Sequence, residues 1–332
     1  MNTLRFSFAL AFLVAVSWGL DPITANEAVQ LVAFHDVKLE NAQTRLTIQN
    51  GIPFYAVAGV DRGLAVEAVI DARAARVVEL RKGGEVVYSF PGIVTVGHRG
   101  TVKFAPENTI AAFESAIELG ADLLEMDVRQ TSDGHLVIVH DQSVARTTDA
   151  RGDVAGLTLE QIKALDAGSW FGDEYKGEKV PTFQEALAAI EGRALPDIDF
   201  KAGDPEKLVD AVRDAGLLGK VTLYCGDWEK LKAVLALDAG FIIRPTAPKG
   251  LPGLKEVITE LNPPIVNIDW KYFSEELVRA IHLGGRKAFV NTMGDEDDAE
   301  SMVRAIEAGA DYIQTDHLDV LLPLLRQRGL HE

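Results

Sequence analysis

The most constraining feature of this sequence is a regular alternation of short apolar runs with helical patterns, which begins near Gly92 and continues almost to the end of the chain. Each run has the length of a strand, and the segments between runs repeat their apolar residues every three or four positions. Such alternation predicts a parallel sheet. The eight predicted strands are Ile93–Gly97, Ala121–Val128, Ala194–Phe200, Lys220–Tyr224, Gly240–Ile243, Pro264–Ile268, Lys287–Asn291 and Ala310–Thr315.

The predicted helices are Asn108–Leu119, Pro205–Ala215, Asp227–Asp238, Leu254–Leu261, Ser274–His282, Glu296–Ala308 and Leu318–Arg328. Eight strand–helix units of this length are typical of an α/β fold of the TIM (β/α)8 barrel type. An open doubly wound sheet is the alternative, but no glycine-rich dinucleotide turn follows the first strand. Gly120, Gly240 and Gly309 each precede a strand, and we expect each to end a helix.

One apolar run, His135–His140, breaks the alternation because only Arg129 to Gly134 separate it from the second strand. A parallel crossover needs a dozen or more residues, and Asp133-Gly134 is favourable in tight turns. We therefore predict an antiparallel hairpin after the second strand. Closing the hairpin on that turn would place His140 roughly opposite Asp127.

The sequence predicts a small β-rich module over residues 26–91, which precedes the barrel at residues 92–332. Leu46–Ile48 and Phe54–Val57 flank Asn50-Gly51, and Arg76–Leu80 and Glu85–Phe90 flank a Gly-Gly turn, so each pair predicts a hairpin. The module shows no chemistry of its own, and we interpret its His35-Asp36 pair as structural.

Residues 1–25 have the features of a secretory signal peptide. Arg5 supplies the positive charge, Phe6–Leu20 is an apolar run too short for a comfortable membrane span, and Ala25 is a candidate cleavage position. The single cysteine, Cys225, permits no intrachain disulfide, and no lipid-anchor cysteine follows the apolar run. We predict an exported protein, periplasmic or secreted, without a stable membrane anchor.

The formal net charge of −17 disfavours nucleic acid and anionic membrane surfaces as partners. A small anionic substrate would therefore need local positive charge or a bound metal ion.

Carboxylates supply such a metal site at the ends of the second and third strands. Glu125 and Asp127 are two residues apart and share one face of a strand, and Asp199 ends the next strand. Active sites of TIM barrels lie at the carboxyl ends of the strands, so these groups should meet. Hard divalent ions prefer carboxylate oxygen, which predicts one Mg²⁺ or Ca²⁺. Histidine-ligated zinc is the weaker alternative.

Cations and imidazoles end the same strands. Arg99 and Lys201 are suited to a phosphate, and Asn291, at the end of the seventh strand, is expected to bind substrate. His98 and His140 are suited to general acid and base catalysis. A metal, two cations and two histidines together predict phosphodiester cleavage.

The sequence also resembles the glycerophosphodiester phosphodiesterase family from about residue 93 to 324. The matching blocks are His98-Arg99-Gly100, Pro106-Glu107-Asn108-Thr109, Glu125-Met126-Asp127, His140-Asp141 with Arg146-Thr147-Thr148, Asp199-Phe200-Lys201 and Thr315-Asp316. The resemblance implies a TIM barrel that hydrolyses glycerophosphodiesters to glycerol 3-phosphate and an alcohol with one divalent cation. By this analogy His98 and His140 are the acid/base pair, Glu125, Asp127 and Asp199 bind metal, and Arg99 and Lys201 bind phosphate. Glu107 is expected to reach the metal or substrate hydroxyls, and Asn108 to cap the next helix.

Two features depart from the family pattern. The third acid is usually Glu, whereas Asp199 is one methylene shorter, and the long insertions that some members carry after the His-Asp block are absent from residues 142–181. Two other functions remain open. The barrel could cleave another phosphodiester, such as a lysophospholipid or a phosphoinositide, or it could bind phosphodiesters without turnover.

Overall fold

The computed structural model describes residues 21–49 and 51–332 as an antiparallel sheet followed by a parallel barrel. The predicted leader residues Arg5 and Phe6–Leu20 lie outside the described part of the chain. In what is described, no helix is long and apolar enough to cross a bilayer.

The amino-terminal module is one helix packed on a five-stranded sheet whose strands pair in sequence order. Its elements are α1 (Ala25–Ala33), β1 (Glu40–Gln49), β2 (Ile52–Asp61), β3 (Leu64–Asp71), β4 (Arg76–Lys82) and β5 (Glu85–Ser89). The two predicted hairpins are β1–β2 and β4–β5, whereas β3 and α1 were not predicted. The core of the module includes Val57, Ile70 and Leu80 against Ala28 and Leu31 of α1.

The barrel confirms the predicted fold and all eight parallel strands. They are β6 (Val94–Gly97), β7 (Leu123–Gln130), β9 (Leu195–Phe200), β10 (Thr222–Tyr224), β11 (Ile242–Ile243), β12 (Ile265–Asp269), β13 (Lys287–Asn291) and β14 (Tyr312–Thr315). β14 pairs with β6, and a parallel bridge between Thr246 and Asn267 connects the ends of β11 and β12. Asn267 N donates to Pro245 O at 2.9 Å and Ala247 N to Asn267 O at 3.2 Å, so these bonds close the barrel.

Helices surround the barrel. They are α2 (Ile110–Leu119), α3 (Leu159–Ala164), α4 (Phe183–Ile190), α5 (Pro205–Asp214), α6 (Trp228–Leu237), α7 (Leu251–Leu261), α8 (Glu275–Leu283), α9 (Ala299–Ala308) and α10 (Leu318–Arg326). Gly120 and Gly309 end α2 and α9 in the left-handed conformation, as predicted. The expectation for Gly240 was wrong, because α6 ends with Asp238 as its cap.

The predicted hairpin is β7 with β8 (Leu136–Ile138), but its register differs from the expectation by one residue. Val128 pairs with Ile138, and Val139 N donates to Asp127 O at 2.9 Å, so Val139 rather than His140 lies opposite Asp127. The loop is longer than a two-residue turn, because Thr131 and His135 also bond across it. His140 lies beyond the strand, where its carbonyl accepts two bonds from Arg129.

The barrel interior changes from apolar to charged along its axis. Val96, Leu123, Ile265 and Phe289 form a buried apolar cluster, and each of them lies before the carboxyl end of its strand. Because strand side chains alternate, Glu125 and Asp127 share the interior face of Leu123 on β7, and Asp199 of β9 pairs in register with Asp127. This alternation places Glu125, Asp127 and Asp199 at the carboxyl end of the barrel, above the apolar cluster.

Candidate active site

Three carboxylates from two neighbouring strands converge at the carboxyl end of the barrel. One oxygen from each of Glu125, Asp127 and Asp199 lies within 4.8 Å of the other two. The adjacent strands pair Asp127 with Asp199 in register, which explains the convergence. The side chains are buried, with exposed fractions of 2%, 0% and 9%.

Burial and mutual repulsion give these acids unequal proton affinities. Burial raises the pKa of Glu125 well above its ordinary value, and the charges of Asp127 and Asp199 raise it further. Burial also raises the pKa of Asp199, whereas for Asp127 burial is outweighed by Lys201 and Arg99, which lower its pKa. The cluster therefore concentrates negative charge that a divalent cation would neutralise.

Lys201 and Arg99 border the cluster from two sides. Lys201 Nζ donates to Asp199 Oδ2 at 2.5 Å and lies 3.1 Å from Asp127 Oδ1. Arg99 Nε lies 3.4 Å from Asp127 Oδ2, and the Arg99 backbone N–H donates to Glu125 Oε2 at 2.8 Å. Both predicted phosphate-binding cations thus lie beside the predicted metal ligands.

Both carboxylate oxygens of Glu107 accept hydrogen bonds from arginine side chains. Its Oε1 accepts from Arg99 Nη1 and Arg146 Nη2, both at 2.8 Å, and its Oε2 accepts from Arg146 Nη1 at 2.6 Å. Glu107 therefore orients Arg99, and the metal-ligand cluster in the described chain does not include it.

Asn108 does not cap α2, contrary to the expectation. Thr109 is the cap, since its side chain accepts from Ala112 N at 3.2 Å. Asn108 instead donates through Nδ2 to Asp127 Oδ2 at 2.7 Å, and its Oδ1 accepts from Asp127 N at 3.3 Å. This pair of bonds fixes the carboxylate of Asp127 relative to the loop that follows β6.

Each histidine is oriented by an aspartate. Nδ1 of His98 lies 2.6 Å from Asp316 Oδ1, and Nδ1 of His140 lies 2.7 Å from Asp141 Oδ1. A carboxylate only accepts, so each Nδ1 carries the proton and each Nε2 is left for chemistry. His140 lies near enough to the cluster for its charge to lower the pKa of Asp127. Arg99, which borders the cluster, also lowers the pKa of Asp316, the hydrogen-bond partner of His98.

The aspartates are themselves held in the ionised form. Arg146 Nε donates to Asp141 Oδ2 at 2.7 Å, and this bond lowers the pKa of Asp141 strongly. For Asp316, burial would raise the pKa, but the hydrogen bond to His98 together with the charges of His98, Arg99 and His317 outweighs burial, and the pKa lies below its ordinary value.

Asn291, predicted to bind substrate, ends β13 with Asp269 and Gln314 beside it on the neighbouring strands. Its Oδ1 is buried and accepts no hydrogen bond within the described chain. Such an oxygen would accept a hydrogen bond from a bound hydroxyl.

Sequence reasoning missed two buried groups near the site. Arg244 donates to both oxygens of Asp197 at 2.6 Å, inside the barrel and beside Glu125. Asp297 follows β13 and bonds the backbone of Asp316. The parity of Asp197 with Asp199 could have revealed the first, whereas Asp297 lies in an acidic run typical of solvated loops.

Comparison with known proteins identifies the same region. Residues 98–320 match the model of the glycerophosphoryl diester phosphodiesterase family. A glycerophosphodiester phosphodiesterase of Caldanaerobacter subterraneus is 38% identical over 248 residues, which are 71% of this chain and 99% of the relative. One from Bacillus subtilis is 32% identical over 69% of this chain and 85% of the relative.

Solved structures show the same similarity. A glycerophosphodiester phosphodiesterase from Agrobacterium tumefaciens superposes with a TM-score of 0.64 at 31% identity, over 70% of this chain and 99% of the other. A phosphodiesterase from Oleispira antarctica, crystallised with the product sn-glycerol-3-phosphate, gives 0.63 at 26% identity over 71% and 97%. The family match begins after the amino-terminal module.

Proposed function

This chain belongs to the glycerophosphoryl diester phosphodiesterase family and is an enzyme that hydrolyses glycerophosphodiesters, and from that premise we propose how its residues perform the reaction. Glu125, Asp127 and Asp199 hold one divalent cation, Mg²⁺ or Ca²⁺. Arg99 and Lys201 bind the phosphoryl oxygens, and His98 and His140 carry out the two proton transfers. The products are glycerol 3-phosphate and the free alcohol.

The observation that supports the metal site is an incompletely bonded cluster of acids. Asp127 Oδ1 is buried and accepts no hydrogen bond in the described chain, although Lys201 Nζ lies 3.1 Å away as an ion-pair partner, and it lies among three carboxylates within 4.8 Å of one another. An oxygen-only donor set of this kind fits a hard divalent ion. When bound, the cation would polarise the phosphoryl group and neutralise charge that develops on its oxygens.

The cations of the chain complement that charge. Arg99 presents a planar fork, held by Glu107, and Lys201 presents a point charge from the end of β9. Both contact the acid cluster, which supports their role in binding a phosphate held at the same site. Asn291 Oδ1 accepts a hydrogen bond from a substrate hydroxyl.

The histidines divide the proton transfers. One Nε2 takes the proton of the attacking water as the new P–O bond forms, and the other gives a proton to the leaving alkoxide as the old P–O bond breaks. Asp316 and Asp141 fix the two rings in the tautomer this requires and stabilise the imidazolium form. The pKa of each aspartate is lowered, so both stay ionised near neutral pH.

The test is a coupled assay of glycerol 3-phosphate release from glycerophosphocholine by the purified protein. EDTA should abolish release, Mg²⁺ or Ca²⁺ should restore it, and His98→Ala should be inactive. Asp199→Ala should weaken cation binding measured by calorimetry, whereas Asp210→Ala, which alters an acid 67% exposed on α5, should leave both binding and activity unchanged. Binding of glycerophosphocholine without hydrolysis under any divalent ion would instead identify a non-catalytic binding protein.

A second substrate class has one observation in its favour. Phe104 and Trp170 are 40% and 42% exposed, and Phe104 lies in the loop between β6 and α2 that carries Glu107 and Asn108. Trp170 packs edge-on against Phe171, which packs edge-on against Tyr175, and the Tyr175 hydroxyl donates to Phe104 O at 2.6 Å. Exposed aromatic side chains connected in this way suit an acyl chain, as in a lysophospholipid. ³¹P NMR of the products from glycerophosphocholine and lysophosphatidylcholine separates the two substrates, and it also detects a cyclic product formed by attack of the substrate's own hydroxyl.

We also propose that the protein is exported. The predicted signal peptide of residues 1–25 supports this, but the structure bears on its boundary. Ile23 is 1% exposed in the core of the module, and Thr24 caps α1. We therefore place the end of the leader before Ile23.

A further inference from the structure

Asp297 is a buried carboxylate whose three hydrogen bonds all go to the ends of two barrel strands. It lies in the loop between β13 and α9 and is 8% exposed. Oδ1 accepts from Thr315 Oγ1 at 2.6 Å and from Thr292 Oγ1 at 2.9 Å, and Oδ2 accepts from the backbone N–H of Asp316 at 2.6 Å.

These bonds connect Asp297 to a catalytic imidazole through one intervening residue. The N–H that Asp297 accepts belongs to Asp316, and the carboxylate of Asp316 accepts from His98 Nδ1 at 2.6 Å. Thr315, the other partner on β14, also accepts from His317 N at 2.8 Å. Asp297 thus fixes the backbone on both sides of the aspartate that orients His98.

The free-energy cost of burying the Asp297 carboxylate is high for a residue that only stabilises a loop. Asp297 makes no ion pair in the described chain, and burying a carboxylate without a cation is expensive even when hydrogen bonds satisfy it. Burial raises the pKa of Asp297, and the neighbouring charge of Asp316 raises it further. A neutral side chain could join the strands at lower cost, so the arrangement suggests a role beyond folding.

We propose that Asp297 is a positioning residue of the hydrolytic reaction, which holds the backbone of Asp316 so that its carboxylate keeps the His98 ring in register with the substrate. The proposal rests on the assignment of His98 to proton transfer made above. Asp297 touches neither substrate nor metal site and acts only through Asp316.

The competing explanation is a structural bond between β13 and β14 that affects stability alone. Asp297→Asn tests both explanations, because an amide of equal size has one acceptor oxygen where the carboxylate has two. The bonds to the two hydroxyls and to the Asp316 N–H can all be kept only if the hydroxyls turn to accept from the NH₂ group, so kcat and the melting temperature together report which bonds are lost. Thr292→Val is a second probe, since it removes one donor to Asp297 and leaves the bond to Asp316.

The matched control is Asp298→Asn. Asp298 is adjacent in sequence and caps α9 by accepting from Ser301 N at 2.8 Å, and its hydrogen bonds in the described chain do not involve Asp316. Both substitutions remove one acidic charge from the same loop. A change in activity caused by charge or loop loosening would therefore occur in both variants.

The experiment is a double-mutant cycle in steady-state hydrolysis of glycerophosphocholine at saturating divalent cation, with melting temperatures of every variant. Asp297→Asn should lower kcat by about 10–100-fold, the range for residues that orient a catalytic group, with little change in KM. Asp297→Asn combined with Asp316→Asn should be no slower than Asp316→Asn alone. The pH profile of Asp297→Asn should move in the same direction as that of Asp316→Asn. Asp298→Asn and Thr292→Val should lower the melting temperature without these kinetic changes.

Other results would overturn the proposal. An Asp297→Asn enzyme with wild-type kcat and a lower melting temperature would show a structural role only, as would losses that multiply in the double variant. If Asp297→Asn does not fold, Asp297→Glu takes its place in the same cycle with the same two outcomes, because it keeps the charge but displaces the carboxylate from the Asp316 N–H by one methylene. A wild-type protein that hydrolyses nothing, or an active His98→Ala variant, would instead contradict the proposed mechanism, so the two failures are distinct.

Discussion

Asn108 bonds a metal-site carboxylate from a backbone conformation that few residues other than glycine adopt. Its φ is 58°, and its amide bonds both the side chain and the backbone N–H of Asp127. Asparagine tolerates the left-handed region better than most residues, and its amide both donates and accepts. Asparagine therefore suits both the left-handed backbone at position 108 and the hydrogen bonds to Asp127.

We predict that Asn108→Ala weakens divalent-cation binding by about 10–100-fold, the usual effect of removing a group that orients a metal ligand. Calorimetric titration of Mg²⁺ and Ca²⁺ measures it. Asn41→Ala is the matched control, because Asn41 also has a positive φ, of 53°, but lies exposed on β1. Both variants should incur a similar penalty for alanine at a positive φ, and only Asn108→Ala should lose affinity. Equal affinities would show that Asn108 does not orient Asp127.

At the scale of single residues, the sequence predicted the charged side chains at the strand ends, but not the loop residues that hydrogen-bond to them. Strand parity places Glu125, Asp127 and Asp199 on one interior face whatever the loops do. The partners Asn108 and Asp297 come from loops, where contacts depend on tertiary packing that no local pattern encodes. Glu107 shows the same limit, because Arg99 and Arg146 occupy its oxygens.

At the scale of elements, the β6–α2 connection carries His98, Arg99, Glu107 and Asn108, and Gly100 lets it approach the helix. Gly100 has a φ of 84°, and a Cβ there would lie 2.7–2.8 Å from backbone and side-chain atoms of Ala112 on α2. Any side chain must therefore displace the strand end from the helix.

We predict that Gly100→Ala lowers the free energy of unfolding by about 2–4 kcal/mol, which adds the steric clash to the positive-φ penalty. It should also lower kcat, because His98 and Arg99 move with the loop. Urea unfolding and steady-state assays measure the two effects. Gly63→Ala is the control, since Gly63 has a φ of 80° and a Cβ added there would meet no atom within 4 Å. It should lose about 1 kcal/mol and no activity; a similar loss in both variants would exclude the clash.

The first helix gives a second element-scale prediction. α1 begins with a capping box, in which Thr24 Oγ1 accepts from Glu27 N at 3.2 Å and Glu27 Oε2 accepts from Thr24 N at 2.7 Å. Cleavage after Ala25 would remove that box and the buried Ile23. We predict that mass spectrometry of the exported protein finds a mature chain that retains Ile23 and Thr24. A mature chain that begins at Asn26 would contradict this placement.

The strands and helices that the sequence predicted are those whose apolar residues repeat most regularly. All eight barrel strands are amphipathic or wholly apolar and end in turn residues, so they were found within a few positions. α3, α4 and β3 were missed, since the first two follow a long irregular segment and β3 connects two hairpins that already looked complete. The hairpin register was wrong by one because the loop, and not the strands, sets it.

At the scale of the whole molecule, the module packs along α8 and reaches the amino end of β14. Arg73 Nη2 donates to Glu275 Oε1 at 2.9 Å, and Arg76 Nη1 bonds Gly309 O and Ala310 O. His282 of α8 joins the two parts, since Nδ1 bonds Ala74 O of the module and Nε2 lies 2.7 Å from Asp311 Oδ2. Asp311 also accepts from Ala288 N at 2.8 Å. One buried carboxylate therefore supports both the barrel and the attachment of the module.

This carboxylate makes the assembly sensitive to acid. Burial would raise the pKa of Asp311, but the charge of His282 and its hydrogen bond outweigh burial, and the pKa lies below its ordinary value. A lowered folded pKa contributes stability that is fully present above the unfolded value, about 3.9, and is lost as the pH falls through the folded value. Protonation of Asp311 at low pH should therefore loosen the module from the barrel.

We predict that Asp311→Asn lowers the free energy of unfolding by about 3–5 kcal/mol at neutral pH, because it leaves a buried imidazole without its carboxylate. The stability difference from the wild type should shrink as the pH falls below about 4, where the unfolded wild-type chain begins to bind this proton, and it should vanish once the pH lies below the lowered pKa of folded Asp311. Urea unfolding between neutral pH and about pH 3 measures both effects. Glu114→Gln, which breaks an exposed pair with Arg193, should change stability by less than about 1 kcal/mol. A stability difference that does not depend on pH would contradict the assignment.

Asp311→Asn also tests whether the two ends of β14 have separate roles, one in stability and the other in catalysis. Asp311 immediately precedes β14 and Asp316 immediately follows it, so the strand has one carboxylate at its amino end and another at the active site. TIM barrels carry catalysis at the carboxyl ends of strands and stability at the other end. Folded Asp311→Asn enzyme should therefore retain wild-type kcat at room temperature, whereas Asp316→Asn should lose kcat with little change in unfolding. Reduced kcat in fully folded Asp311→Asn would show that the module's attachment is coupled to the site through β14.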